Sequence, residues 1–216
     1  GSKIDIEFQK NSQDDNRHWC CKIYQINSEI VLSNILPILE NLGLSVIREN
    51  SNKINDFAEG GREFIIVDLL LSPANERVQL NESRCKEVVS CIQAVYSKLA
   101  HNDVINQLLT TTDASFQEII VLRAYIYYAK QTNFALSTEY MLQSVIKYPY
   151  LSYALIEIFK DRFESDKPIK HQESAFLEFV GELEAVSSLN EDRVFRRLLA
   201  SIQATVRTNY YLSDRQ

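Results

Sequence analysis

Arg193, Arg196, Arg197 and Arg207 form the one basic cluster in a chain that otherwise leans acidic. Guanidinium forks bind carboxylate or phosphate oxygens in pairs. Such a cluster therefore suits three roles: a solvated helix face with ion pairs to Glu191 and Asp192, a contact between domains, or an anion site. On one helix the four would share much of one side. The net charge is −6 over 216 residues, and nonspecific affinity for phosphate backbones comes from accumulated Lys and Arg. No nucleic-acid partner is expected, and the first two roles stand ahead of the third.

Other reactive residue types lack the company that chemistry requires. A dinucleotide crevice or a phosphate loop needs glycines between a strand and a helix, so that the backbone can approach phosphate. The glycines are Gly1, Gly43, Gly60, Gly61 and Gly181, and Gly60-Gly61 precedes a strand, which reads as a turn. His18, His101 and His171 lie far apart with no second ligand three or four residues away, so neither zinc nor a Ser/His/Asp arrangement is expected. Cys20, Cys21, Cys85 and Cys91 have no CxxC spacing and read as free, buried thiols in a reducing compartment. Tyr125, Tyr127 and Tyr128 read as core and interface anchors rather than a ligand box. Catalytic, cofactor-binding and metal residues are all expected to be none.

The composition is globular, with 45% hydrophobic and 24% charged residues, and the length suits two domains of ordinary size. Gly1-Ser2 reads as the remnant of a cleaved tag, so a longer parent is expected. No apolar run approaches the roughly 20 residues of a membrane span, so a soluble, cytoplasmic protein with no membrane partner is expected.

To about residue 72 the pattern switches between period 2 and period 3.6. Ile4 to Phe8 and Trp19 to Ile26 alternate as strands of a hairpin, with Trp19, Cys21 and Ile23 on one face. Leu32, Ile35, Leu36, Leu39 and Leu42 form a helical stripe that Ser33 would cap and Gly43 would end, with Pro37 kinking the helix or marking its first turn. Ser45 to Arg48 starts a strand, followed by a polar segment, Asn50 to Asn55. Phe64 to Leu71 is nearly continuous apolar, which predicts a central strand covered on both faces. Cys85 to Leu99 follows as a helix with Val88, Val89, Ile92, Val95, Tyr96 and Leu99 inward. Strand, helix, strand, strand, helix is most of a ferredoxin-like split βαβ unit; Val104 to Leu109 is the stretch that could close it with a strand.

Beyond Thr110 every periodic segment is helical. Ser115-Phe116-Gln117-Glu118 has the capping-box form, and the helix it opens is apolar nearly all round, as suits the middle of a bundle. Ser137 caps the next, Pro149 starts another, and a helix with Phe176, Phe179, Val180 and Leu183 in register follows Pro168. Asn190 would cap the last helix, with Leu189 and Val194 as a hydrophobic staple and Val194, Leu198, Ile202 and Thr205 inward.

Two phrases in the chain carry a family resemblance. Leu32-Ser33-Asn34-Ile35-Leu36-Pro37-Ile38-Leu39-Glu40-Asn41-Leu42-Gly43-Leu44 is one, and Asn190-Glu191-Asp192-Arg193-Val194-Phe195-Arg196-Arg197 with Val206-Arg207-Thr208-Asn209-Tyr210-Tyr211 is the other. Both resemble the non-catalytic region of the large multi-domain bacterial NAD-specific glutamate dehydrogenases. The resemblance implies an α+β fold: an ACT-like (ferredoxin-like) α/β sandwich over residues 3–105, then an all-α helical bundle domain over 106–216. It implies a regulatory or assembly segment of a parent that oxidises L-glutamate to 2-oxoglutarate with NAD, no cofactor in the segment itself, and hydride transfer beyond Gln216. Implied partners are the remaining domains of the parent, a second copy in a homo-oligomer, and an amino-acid effector. The arginines would then meet a neighbouring domain. The effector loop would be Asn27, Ser28 and Glu29, which lacks the glycine that closes a backbone on a carboxylate. The alternative is a stand-alone interaction adaptor with no enzymatic domain.

Overall fold

Strand β2 (Trp19–Ile26) buries Trp19, Cys21, Ile23 and Gln25 and leaves Cys20, Lys22 and Tyr24 half-exposed, so one face of it is pressed into a core. The computed structural model describes residues 4–11, 18–27, 29–56, 62–164 and 169–215. They fall into two compact units, Gly1–Thr111 and Thr112–Gln216.

In the first unit β1 (Asp5–Lys10) pairs antiparallel with β2, placing Phe8 opposite Cys21, as the hairpin reading predicts. Strand β4 (Arg62–Pro73) lies on the other side of β2, and β3 (Leu44–Asp56) lies outside β4. Helices α1 (Leu32–Asn41) and α2 (Glu82–Tyr96) pack against each other, α1 also against β3 and α2 against β1. The order β1-β2-β4-β3 is that of a split βαβ unit built from β2 onward. The N-terminal strand β1 holds the edge that a strand following α2 would occupy.

That placement explains the first departure from the sequence reading. Val104 to Leu109 forms no strand: Val104–Gln107 is a 3-10 turn that runs into α3 (Leu108–Thr111). The edge beside β2 is already taken, and Ile105, Leu108 and Leu109, all 0% exposed, have helical spacing. The segment stays with the first unit through Thr110, whose hydroxyl donates to Leu42 O at 2.8 Å and whose carbonyl accepts from Gln79 N at 2.7 Å.

Periodicity misplaces other details. The polar run after Arg48 continues β3 as an edge strand paired only with β4, where polar side chains suit an outer rim. β4 is central but covered on one face: Ile65, Val67, Leu69 and Leu71 are buried, while Phe64, Ile66 and Leu70 stay half-exposed. In α1 Ile38 takes the inward place expected of Leu36, which is exposed, and Val31 rather than Ser33 is the cap residue, with no side-chain cap bond. Pro37 lies inside α1. α2 stops at Tyr96, Lys98 turns left-handed (φ 60°), and Leu99 is exposed instead of inward. Gly60 and Gly61 lie outside the described residues.

The second unit contains α4 (Phe116–Gln131), α5 (Thr138–Lys147), α6 (Pro149–Phe163), α7 (Ile169–Leu183) and α8 (Leu189–Ala204). α4 packs against α5, α6 and α8, the middle position its composition predicts. The capping box forms in full: Ser115 Oγ accepts from Glu118 N, and Glu118 Oε2 accepts from Ser115 N at 2.8 Å. Ser137 caps α5, and Pro149 occupies the first turn of α6. Tyr127 and Tyr128 are exposed, contrary to the core reading, because α4 buries Ile119, Leu122, Ile126 and Ala129 on its opposite side. On α7, Phe179 and Leu183 are buried, whereas Phe176 and Val180 are 38% exposed.

Gly43 ends α1 at φ +73°, and a Cβ there would lie 2.8 Å from Val78 Cγ2. Gly43→Ala combines left-handed strain with that overlap, so it is expected to lower unfolding free energy by about 1–3 kcal/mol. Urea denaturation of the two proteins checks this, with the midpoint shifting down at unchanged slope.

Candidate functional site

The loop between β2 and α1 holds the residues expected to meet an effector. Asn27 is left-handed (φ 55°), its amide donates to Glu63 O at 2.9 Å, and its Oδ1 accepts from Glu63 N at 3.0 Å. Glu29 takes a hydrogen bond from Lys53 Nζ at 3.0 Å, an exposed pair and therefore a weak one. Ser28 lies outside the described residues. Asn27 and Glu29 are thus both engaged by the sheet that carries them.

The arginines do not form one patch. Arg193, Arg196 and Arg197 lie on α8, but the helix ends at Ala204 and Thr205 is extended (φ −69°, ψ 125°), so Arg207 leaves the helical face. Arg196 Nε is chelated by Asp192, at 3.0 Å from Oδ1 and 2.9 Å from Oδ2, one turn back. Arg197 donates to the Thr132 hydroxyl, and its buried Nε has no hydrogen-bond partner. Arg193 and Arg207 are exposed.

The start of α8 carries a site at Glu191, which the sequence reading treats only as an ion-pair partner of the arginine face. Glu191 is 8% exposed. Lys147 Nζ donates to its Oε1 and the Tyr148 hydroxyl to its Oε2, each at 2.7 Å, and the Tyr148 ring meets Phe195 edge-on at 5.9 Å. Burial alone would raise the Glu191 carboxyl, but the two donors outweigh it and hold its pKa below the ordinary value. The signal was present in the spacing, since residues 191, 194, 195, 198 and 202 share one stripe. The expected cap and staple do not form: Asn190 lies inside the helix behind Ser188, and Leu189 is 74% exposed.

The other end of α8 builds a groove. Thr205 O accepts from Arg162 Nε at 3.2 Å and from its terminal nitrogen at 3.1 Å. The Thr205 hydroxyl donates to Ser201 O at 2.8 Å, which leaves the Tyr125 hydroxyl, 2.9 Å away, as donor to Thr205 Oγ1. Burial raises the Tyr125 pKa, the Thr205 bond and nearby Arg162 opposing it, so the phenol keeps its proton near neutral pH. The chain then turns back and sets Tyr210 edge-on to Phe159 at 5.5 Å, with Tyr125 meeting the same ring at 6.0 Å. Between this returning segment and α4 lies a groove of about 1060 Å³, with Val121, Ala124 and Tyr128 on one wall and Arg207 and Asn209 on the other.

The cysteines are poorly suited to nucleophilic work. Cys21, Cys85 and Cys91 are buried and Cys20 is half-buried, all as free thiols. Burial pushes Cys85 up to about 11 and Cys21 higher still, so neither is a thiolate near neutral pH. Among the described residues no group of His, Cys, Asp and Glu could hold a metal ion. Nor, among the described residues, is any helix long and apolar enough to cross a membrane.

Comparison with known proteins matches three parts of the chain to three sequence models of one enzyme family. Residues 3–83 match the glutamate dehydrogenase ACT3 domain, 100–165 match glutamate dehydrogenase helical motif 3, and 178–216 match the bacterial NAD-glutamate dehydrogenase catalytic domain. The chain belongs to the bacterial NAD-specific glutamate dehydrogenase family. It is 32% identical to the NAD-specific glutamate dehydrogenase of Pseudomonas aeruginosa over 90% of its own length and 12% of that protein. Identity is also 32% with that of Halomonas elongata, over 98% of the chain and 13% of the relative. With the Mycobacterium tuberculosis protein it is 24%, over 84% and 12%. The chain thus spans about an eighth of the length of these relatives. The matches place a family boundary between residues 165 and 178, inside the stretch 106–216 that the sequence pattern treats as one helical domain.

Because the Glu191 pKa is depressed on folding, its stabilising effect is present above the unfolded value of about 4.3 and is lost as pH falls through the lower folded value. Glu191→Gln is therefore expected to be less stable than wild type at pH about 7, with the difference shrinking below pH about 4. Urea melts of both proteins across that range measure it.

Proposed function

We propose that the chain is a regulatory and assembly segment of an NAD-specific glutamate dehydrogenase and does not itself perform hydride transfer. The full protein oxidises L-glutamate to 2-oxoglutarate and ammonium while reducing NAD, and works in the cytoplasm. One observation carries this reading. Residues 112–165 of the helical motif 3 match and residues 178–216 of the catalytic-domain match lie in a single compact unit, with α8 packed on α4, α5 and α6. The Glu191 clamp and the Thr205 knot tie α8 to α5, α4 and α6 by side-chain hydrogen bonds. A displacement of the motif helices is thereby felt by α8.

Within this reading the exposed Arg193 and Arg196 meet acidic groups of a neighbouring domain, and the ACT-like unit serves pairing with a second copy. The open face of its sheet supports the pairing role, since Ile26 and Ile54 are 52% and 53% exposed there. An amino-acid effector at Asn27, Ser28 and Glu29 would have to displace the bonds of Asn27 to Glu63 and of Glu29 to Lys53.

Two measurements test the proposal. The 216-residue chain, incubated with L-glutamate and NAD, is expected to give no glutamate-dependent NADH absorbance, and turnover would overturn the non-catalytic reading. Sedimentation equilibrium is expected to show a dimer or larger species; a monomer throughout the concentration range would remove the assembly role.

A further inference from the structure

We infer that the groove between α4 and the segment that follows α8 is a binding site for a small molecule with an aromatic body and one anionic group. Its volume of about 1060 Å³ is at the upper end for small-molecule pockets, which run to roughly 1,000 Å³. A free amino acid would leave most of it empty, whereas a fused-ring compound would span it. The walls supply what such a body needs: Ile120, Val121 and Ala124 are apolar, and Tyr128, 51% exposed, offers a ring for stacking.

Charge selects the other end of the ligand. Arg207 is the one charged residue among the described residues of the lining. No ion pair to it is formed among the described residues, in contrast to Arg196 with Asp192. Arg162, bonded to Thr205 O behind the same wall, adds a second positive charge. In a chain of net charge −6, a concave surface whose described lining carries cationic charge alone favours carboxylate, sulfonate or phosphate, which a guanidinium binds through paired hydrogen bonds. Asn209, Thr208 and Gln117 stand on the rim as further polar partners. The site rests on the helical unit alone, so it can hold or fail independently of the regulatory reading of the chain.

The test uses 8-anilinonaphthalene-1-sulfonate as the anionic probe and uncharged N-phenyl-1-naphthylamine as its counterpart, each followed by fluorescence titration of the 216-residue chain. Saturable 1:1 binding of the sulfonate is expected. Arg207→Gln should weaken the sulfonate by roughly three- to tenfold and leave the neutral compound unchanged. Ala124→Trp, which puts a bulky indole on the apolar wall of the groove, should weaken both. Both substitutions are at exposed positions, and equal thermal melts would show that the fold is retained. Absence of saturable binding, or an Arg207→Gln protein that binds the sulfonate as wild type does, would overturn the proposal. So would equal affinity of the wild-type chain for the two probes.

Discussion

Thr205 fixes where the last helix stops, and much of the second unit follows from that. A helix end leaves carbonyl groups without intrahelical partners, and here one of them is taken by the Arg162 fork. Because the Thr205 hydroxyl is already committed to Ser201 O, the Tyr125 phenol has a single orientation in which to donate. α4, α6 and α8 are thereby joined at one residue. The backbone leaves in an extended conformation, which carries Arg207 off the helical face and lets Tyr210 return to Phe159. A continued helix would have restored the single arginine face and erased the groove.

The opposite end of α8 is secured by different physics. Glu191 lies on the apolar stripe, where an unpaired carboxylate would be costly, and two donors at 2.7 Å satisfy it. Its Lys147 partner is half-exposed while the carboxylate is buried, so the lysine chain spans from solvent to the acid. Glu118 is also used twice, completing the capping box of α4 and taking Lys160 at 2.9 Å. Acidic residues thus set helix positions in this bundle rather than merely decorating its surface.

Features fixed within one element were legible in the amino-acid order. Ser115 with Glu118, Ser137, Pro149 and Gly43 each act through neighbours a few residues away, and each is found in the expected role. The β1–β2 hairpin and its buried face were legible for the same reason. Features that depend on a remote partner were not. Whether Val104 to Leu109 closes the sheet depends on β1 having occupied the edge. Whether Tyr127 and Tyr128 are buried depends on which sides of α4 its neighbours cover. The arginine cluster failed at Arg207, because a helix terminus set by Arg162, distant in sequence, has no local signature. Glu191 was readable from its place on the stripe, but its polarity hid it. The two phrases that carry the family resemblance prove to be architectural: one forms α1 and the Gly43 turn, the other α8, its two anchors and the returning segment.

Recruiting the edge strand from before the unit rather than after α2 alters how the sheet can assemble. β1 with β2, and β3 with β4, are pairs of consecutive strands, and only the β2–β4 ladder joins distant parts of the chain. Each hairpin can close over a short loop at small entropic cost, leaving one long-range docking event between two ready-made ribbons. A closing strand after α2 would have needed a second such event, since it would have to travel back across the sheet to reach β2. The N-terminal arrangement therefore lowers the mean sequence separation of native contacts, the topological quantity that governs how fast small domains fold.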